Sequence, residues 1–346
     1  MSRLSGPPPP IPLTVLTGFL GAGKTTLLNA LLPHPALAGT LVVINEFGSI
    51  GLDHHLIEVP EDDLVLLASG CLCCTIRGDL VRLLEDLLRR RDNGRMPPFT
   101  RLVIETTGLA DPAPVLAAVL AHPYLKLRYS LAGVIAVIDA VAGPGTLLSH
   151  AEAARQAALA DVLVISKLDL PEARHGDLSA ALHALNPAAA QLTTTEALAS
   201  PEALFAPDLF NLAARSPEAR ARYYREALAP AHSHGDAPDV TIHSPTIRAT
   251  TFVTDQALSI AGLDAFLDGL AEAFGNKLLR VKGLIRLAEQ PEAPVAVHLV
   301  GGLRQPLQPL PRWPDADRTT RLVLIAEHVP PAALTAFCSA FIGANG

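Results

Sequence analysis

Three of the chain's four cysteines, Cys71, Cys73 and Cys74, stand within four consecutive positions. Thiolates at this spacing can converge on one soft metal ion such as Zn²⁺, Co²⁺ or Cu⁺. A structural zinc site is closed by four protein ligands, so three thiolates suit a site that releases its ion or borrows a ligand from a partner. The motif therefore predicts a transferable metal ion, with a fixed zinc staple and a redox thiol cluster as the alternatives.

The fourth metal ligand is less well specified. Glu46 offers a carboxylate upstream of the cysteines, and we expect it to join them around zinc or cobalt. His54 and His55 are alternatives, although histidines there are more typical of a solvated loop. Cys338 lies on the apolar face of a C-terminal helical pattern, which favours a place in the core.

A phosphate-binding loop precedes the cysteines, because residues 18–25 satisfy the pattern G-x-x-x-x-G-K-[ST]. Its glycines allow the backbone to curl so that successive N–H groups face phosphate oxygens, and the following helix adds its positive end. The side chain of Lys24 is expected to reach the β- and γ-phosphates, and the Thr25 hydroxyl to bind Mg²⁺. The expected phosphate-binding set is Gly18, Gly21, Gly23, Lys24, Thr25 and Thr26.

A second phosphate-sensing segment is predicted at residues 101–108. A strand-like run ends there in the carboxylate of Glu105, which is expected to contact Mg²⁺ directly or through water. Gly108, three residues later, can present its N–H to a γ-phosphate. The alternative is an ordinary strand end followed by a helix beginning near Asp111 and Pro112.

Guanine recognition is predicted by Ser166, Lys167 and Asp169, which follow a strand in the pattern [NST]-K-x-D. A carboxylate at Asp169 can accept from guanine N1–H and N2–H₂ together, whereas adenine offers no such pair of donors. The aliphatic stem of Lys167 is expected to pack over the base. Ser166 stands where an asparagine is more usual.

The secondary-structure pattern predicts an α/β fold. Strand-length apolar runs alternate with helical patterns, which implies a P-loop NTPase with a mostly parallel sheet covered by helices. The predicted strands are 13–17, 41–45, 64–67, 102–105, 133–139 and 162–166, and the predicted helices are 24–32, 77–91, 112–120, 151–160 and 171–185. The run 131–148 reads as a buried strand followed by a turn at 143–145.

The chain is expected to comprise a nucleotide-binding unit and a smaller α+β unit. Single cores seldom exceed roughly 250 to 300 residues, and the chain has 346. In the last part, the pattern predicts strands at 248–253, 295–300 and 321–325 and helices near 263–274 and 331–341. The predicted division is a disordered Pro-rich arm, a GTPase domain, a polar linker and a C-terminal domain at 1–11, 12–222, 223–245 and 246–346.

Composition limits the classes of partner. A formal net charge of −7 and the lack of a long basic run argue against nucleic acid. Clustered cysteines indicate thiolate chemistry in a reducing compartment, so we expect a cytoplasmic protein. The N-terminus lacks the apolar core of a signal peptide and no run resembles a membrane span, so no membrane partner is expected.

These motifs together resemble those of the CobW-like P-loop GTPases, relatives of the nickel-insertion GTPases of hydrogenase and urease. The resemblance covers nearly the whole chain. It rests on residues 18–26, 45–48, 71–74, 105–108 and 166–169, with 278–283 and Trp313 in the C-terminal part.

The resemblance implies a cysteine motif that binds metal when Mg²⁺ and GTP are present, and hydrolysis to GDP that releases the metal to a client protein. Zinc is the expected cargo, with cobalt delivery for cobalamin synthesis, or a regulatory GTPase with a structural zinc, as alternatives. Lys24, Thr25 and Glu105 are the expected catalytic residues. No catalytic glutamine or arginine finger is evident in the sequence, so slow turnover is expected, in a monomer or a nucleotide-dependent homodimer.

The chain departs from the family pattern in three places. Many members carry an acidic residue after Asn-Glu-Phe-Gly, where this chain has Ser49, and some carry Glu where it has Ile44. A carboxylate ligand therefore depends on Glu46 alone. The family's histidine-rich tract is reduced to His232 and His234.

Overall fold

A computed structural model describes residues 8–45, 64–67, 75–205 and 246–345. The predicted linker, 223–245, lies outside these ranges, as do residues 1–7 of the predicted arm. Two sheets organise the described chain, and they differ in type. The first is parallel and the second antiparallel.

The first sheet has seven parallel strands in the order β3-β2-β4-β1-β5-β6-β7. The central strand β1 lies between β4 and β5, and nearly all of its residues are buried. This is expected for a strand covered on both faces. The strands are β1 (Ile11–Gly18), β2 (Thr40–Asn45), β3 (Leu64–Leu67), β4 (Arg101–Thr106), β5 (Tyr129–Asp139), β6 (Val162–Ser166) and β7 (Ala190–Thr193).

Helices occur in the described connections between these strands, as is usual for a parallel sheet. They are α1 (Lys24–Leu31), α2 (Thr75–Asp92), α3 (Ala113–Leu120), α4 (Leu125–Arg128), α5 (Gly143–Ser149), α6 (Ala151–Leu159), α7 (His175–Leu185), α8 (Thr194–Ala199) and α9 (Pro201–Leu204). No helix in the described part of the chain is both long and apolar enough to cross a membrane.

The second sheet is built by residues 247–327. Its strands are β8 (Ile247–Thr254), β9 (Leu278–Ile285), β10 (Val295–Val300), β11 (Leu303–Arg304), β12 (Gln308–Pro309) and β13 (Thr320–Glu327), with helices α10 (Ile260–Phe274) and α11 (Pro331–Asn345). The order is β11-β10-β9-β13-β8, and β12 pairs with β10. The expected α/β fold with a smaller α+β unit is confirmed.

Strands β9, β10 and β13 of the second sheet are buried on both faces. One face packs against α10 and α11, where the rings of Phe266 and Phe341 meet edge-on at 5.9 Å and Cys338 is fully buried. The other face contributes Leu279 and Ile325 to the core of the parallel sheet. The predicted core position of Cys338 therefore agrees with the structure, and burial raises the pKa of its thiol to about 12.

Several elements differ from the sequence prediction, which did not include the short helices α4, α8 and α9 or the two-residue strands β11 and β12. Residues 143–145, expected as a turn, begin α5, since a proline fits the first turn of a helix. Strand β7 was not predicted, because its apolar and polar residues alternate over only four positions and none of them is fully buried. Strand β9 was also missed, because Arg280 and Lys282 interrupt its apolar run, yet both are buried.

Those two cations join the sheets. Arg280 of β9 donates to a carboxylate oxygen of Asp161 and to the carbonyl of Leu159. The ammonium of Lys282 lies 3.4 Å from the same oxygen of Asp161. Burial lowers the pKa of Arg280 to about 9, and the contact with Asp161 acts in the opposite direction. Arg280 is therefore charged at neutral pH, and Asp161 lies between it and Lys282.

Replacing Asp161 should destabilise the fold. Asp161→Asn keeps an acceptor for the Val134 N–H but leaves two buried cations without that carboxylate. The free energy of unfolding is expected to fall by about 3 to 5 kcal/mol, measured by urea titration. Glu152→Gln, at an exposed position of α6, is the matched control. A loss below about 1 kcal/mol would contradict a role for this charge cluster in joining the sheets.

Candidate nucleotide-binding site

The phosphate-binding loop connects the carboxyl end of β1 to the start of α1. Gly21 and Gly23 adopt φ of 72° and 93°, which side-chain-bearing residues rarely adopt. Gly18 is required for a second reason, since a Cβ there would lie 2.4 Å from the Val137 carbonyl oxygen. The glycine positions of the motif are therefore explained by backbone conformation and close packing.

The first turn of α1 provides the positive end of a helix dipole. Gly23 precedes the helix without a side-chain cap among the described residues, and the first N–H groups of a helix have no intrahelical acceptor. Such a helix start favours an anion. The ammonium of Lys24 lies above the loop and donates to the carbonyls of Gly18 at 2.9 Å and Phe19 at 3.3 Å.

Thr25 and Glu105 meet at this edge of the sheet. The Thr25 hydroxyl donates to a Glu105 carboxylate oxygen at 2.7 Å, although the residues are 80 positions apart. A hydroxyl and a carboxylate are hard oxygen donors of the kind that Mg²⁺ prefers. The donor set therefore fits the magnesium role predicted for both residues.

The segment after β4 lies against the phosphate-binding loop. A Cβ on Gly108 would stand 2.5 Å from the backbone nitrogen of Leu20 and 2.6 Å from its Cα. Thr106, at the end of β4, donates to the Thr17 hydroxyl at 2.9 Å. Gly108 is thus in contact with the loop that is expected to hold the phosphates, and only glycine fits there.

Gln156 of α6 contacts this segment and was not predicted as a site residue. Its amide nitrogen donates to the carbonyls of Gly108 at 3.1 Å and Ala110 at 3.0 Å. The side chain is fully buried. The sequence signal that could have indicated Gln156 is a single glutamine within the alanine-rich stretch 151–159. Burial of an amide is costly unless it is hydrogen-bonded, so such a residue is expected to have specific partners.

The predicted base-recognition residues occupy three different environments. Ser166 is buried, and its hydroxyl donates to the Ala22 carbonyl of the phosphate-binding loop at 2.7 Å. Asp169 is exposed beyond the end of β6. Lys167 has φ of 59° and donates to Asp139 at 2.7 Å.

Asp139 was not anticipated in the sequence. Partial burial opposes its ionisation, but hydrogen bonds from Lys167 and from the N–H groups of Val141 and Ala142 outweigh that effect. The pKa of Asp139 is therefore held below its usual range. A charged Asp139 fixes the end of the Lys167 side chain at the carboxyl edge of β5 and β6.

The predicted soft-metal ligands Glu46, Cys71, Cys73 and Cys74 lie outside the described residues, as do His54, His55, His232 and His234. The described strands that precede them end together. In the register, Leu67 at the end of β3 pairs with Asn45, and Asn45 pairs with Thr106 beside Glu105. Within the described ranges, no group of three or more His, Cys, Asp or Glu residues is arranged to hold a metal ion.

Family models match both parts of the chain. The model described as CobW/HypB/UreG, nucleotide-binding domain, matches residues 12–193, more than half of the chain. The chain belongs to this family. The model of the cobalamin synthesis protein cobW C-terminal domain matches residues 247–341.

Individual relatives agree with the family assignment. The chain is 32% identical to the zinc chaperone YjiA of Escherichia coli over 283 residues, covering 82% of this chain and 84% of YjiA. It is 38% identical over 168 residues to zinc-regulated GTPase metalloprotein activator 1 of Schizosaccharomyces pombe, covering 46% and 40%. A Zn(II)-bound triple mutant of YjiA GTPase superposes with a TM-score of 0.70 and 26% identity, covering 96% of this chain and 99% of that one.

Adding one methyl group at Gly108 should disturb this site. In Gly108→Ala, the Cβ would clash with the Leu20 backbone, so the loop and the segment after β4 must separate. Affinity for a fluorescent GTP analogue is expected to fall at least tenfold. Gly145→Ala is the matched control, because a Cβ there meets no atom within 4 Å. Equal affinities for the GTP analogue in the two variants would contradict a role for this contact in nucleotide binding.

Proposed function

We propose that this protein is a GTP-hydrolysing metallochaperone that binds zinc at Cys71, Cys73 and Cys74 in the GTP state and passes it to a client protein on hydrolysis. The contact between Thr25 and Glu105 carries the proposal, because it puts a nucleotide-sensing carboxylate at the strand ends that lead to the metal ligands. The names of the relatives, a zinc chaperone and a zinc-regulated GTPase activator, support the cargo.

Phosphate binding is assigned to the loop and the start of α1. The N–H groups of the loop and the ammonium of Lys24 stabilise the negative charge of the phosphates. Thr25 and Glu105 would hold Mg²⁺, which neutralises charge that develops on the phosphates. Gly108 would donate its N–H to the γ-phosphate. The intrinsic rate of GTP hydrolysis is expected to be slow.

Guanine selectivity is assigned to Asp169 and Lys167. The exposed carboxylate of Asp169 is accessible to a base, and Ser166 ties the base-binding segment to the phosphate-binding loop. These contacts set the distance between the two ends of a nucleotide. GTP and GDP are therefore the proposed ligands, distinguished from ATP and ADP by the donors on the guanine edge.

The order of the first sheet supports the proposed coupling between nucleotide binding and zinc binding. The strand β2 lies between β3 and β4, so the segment that carries Glu46 begins beside the end of β4, and the segment that carries the cysteines begins one strand further away, after β3. A γ-phosphate that orders the segment after Glu105 would change the positions of these neighbours. Loss of that phosphate on hydrolysis would relax them and lower the affinity for zinc.

The proposal also includes the roles of the domains, the cellular location, the oligomeric state and an alternative metal. The unit formed by residues 246–346 would recognise the client, and residues 12–222 would form the GTPase domain, with a linker at 223–245 and an arm at 1–11. We place the protein in the cytoplasm, as a monomer or a nucleotide-dependent homodimer. Cobalt is the alternative cargo, since three thiolates accept both ions.

Replacing one motif cysteine should separate metal binding from nucleotide binding. Cys73→Ser is expected to lose the zinc that binds only with the GTP analogue, while affinity for the analogue itself stays within threefold. The comparison uses the nucleotide-dependent zinc, because a YjiA mutant lacking a glutamate and two cysteines is still zinc-bound in its crystal structure. Cys338→Ala, which removes a buried core thiol, is the control. Unchanged nucleotide-dependent zinc in Cys73→Ser would contradict the site.

Base selectivity can be tested at one atom. In Asp169→Asn, an amide replaces the carboxylate, so one of the two acceptors facing guanine becomes a donor. Affinity for GTP should fall at least tenfold, and affinity for xanthosine triphosphate, which has a carbonyl in place of the 2-amino group, should rise. Fluorescence competition measures both, with exposed Glu172→Gln as the control. Unchanged GTP affinity would exclude Asp169 from base recognition.

A further inference from the structure

Helix α6 combines an alanine-rich buried face with one buried amide. Most residues of Ala151–Leu159 facing the interior are alanines, which pack closely and carry no polar atom beyond the backbone. Gln156 is the exception on that face, since it is fully buried and polar. The free-energy cost of burying the Gln156 amide must be offset by the hydrogen bonds that it makes.

The bonds of Gln156 are directed at the nucleotide-sensing segment. Both hydrogens of the amide nitrogen are used, one on the carbonyl of Gly108 and one on that of Ala110. A single side chain therefore holds both ends of a three-residue turn. Gly108 is confined between Gln156 and the backbone of Leu20 in the phosphate-binding loop.

The neighbouring Arg155 connects the same segment to the C-terminal unit. Its guanidinium contacts Asp111, the residue that follows the turn, at 3.3 Å and Glu327 at the end of β13 at 3.5 Å. All three side chains are at least two-thirds buried, so solvent screens the contacts only partly. Asp111 also accepts from the N–H of Ala113 and so fixes the start of α3.

The helix itself is held at both ends. At its start, the ring of His150 lies against Phe19 of the phosphate-binding loop, with centroids 4.6 Å apart. At its end, the carbonyl of Leu159 accepts from Arg280 of the second sheet. The buried amide nitrogen of Asn186 lies within hydrogen-bond distance of three carbonyls at this end, those of Ala157, Ala158 and Ala160. A helix fixed in this way can transmit a displacement as one body.

We infer that Gln156 is a positioning residue for the γ-phosphate and that Arg155 connects the same segment to the C-terminal unit. Gln156 holds Gly108 where its N–H meets a triphosphate but not a diphosphate. Through Glu327, the C-terminal unit adjusts that preference, so a client bound there would change the nucleotide cycle. The inference rests on the proposed function for the identity of the nucleotide.

The first test removes the donors of Gln156 and keeps its shape. Gln156→Met fills the same space without a hydrogen-bond donor. Affinity for a non-hydrolysable GTP analogue is expected to fall at least tenfold, while affinity for GDP changes less than threefold. Glu152→Gln on the exposed side of α6 is the control. Equal losses for both nucleotides, or no loss, would overturn the positioning role.

The second test acts from the other unit and does not depend on Gln156→Met folding. In Glu327→Gln, the ratio of triphosphate affinity to diphosphate affinity should fall about threefold. A change of this size corresponds to the loss of one partly exposed ion pair. Arg155→Met should have a similar effect, and the double variant should add little to either. Additive effects, or a Glu327→Gln protein that behaves like Glu152→Gln, would overturn the connection.

These results are distinguishable from failure of the metallochaperone. If Gln156→Met loses triphosphate preference while wild-type zinc affinity ignores the nucleotide, the inference holds and the chaperone cycle fails. If zinc affinity follows the nucleotide but Gln156→Met keeps its triphosphate preference, the inference fails alone. A wild-type chain that binds no guanine nucleotide overturns both.

Discussion

The close approach of Gly108 to Leu20 sets the geometry of the site, because two backbone segments touch there with no space for a Cβ. One belongs to the phosphate-binding loop after β1, and the other follows β4. The pairing of β1 with β4 brings them together, and the contact between Thr25 and Glu105 lies at the same edge. Neither segment can therefore move without affecting the other.

The second sheet is part of this arrangement. Asp161, between the buried cations Arg280 and Lys282, fixes the end of α6 to β9, and Leu279 shares the core of the first sheet. A buried charge cluster of this kind adds little net stability, because its members lose their hydration. Removing one member is nevertheless strongly destabilising, because the remaining charges stay buried without a partner. The cluster defines how the sheets meet, and α6 carries contacts to the segment after β4.

Much of the fold and part of the site could be predicted from the sequence. Six strands of the first sheet follow from apolar runs, and the phosphate-binding loop follows from the spacing of its glycines and Lys24. Gln156 and Asp139 could not be predicted in the same way, because their partners lie 46 to 48 and 28 positions away. Strand β9 was missed for a similar reason, since the burial of Arg280 depends on Asp161 in another unit.

The most direct test of nucleotide-controlled metal binding is a zinc titration of the reduced protein against a competing chelator. It is run with Mg²⁺ and a non-hydrolysable GTP analogue and repeated with GDP, and Co²⁺ is titrated in the same way. We expect zinc to bind more than about tenfold tighter in the triphosphate state, a coupling of roughly 1.4 kcal/mol. Equal zinc affinities in the two states would contradict the chaperone cycle and leave a GTPase with a structural metal.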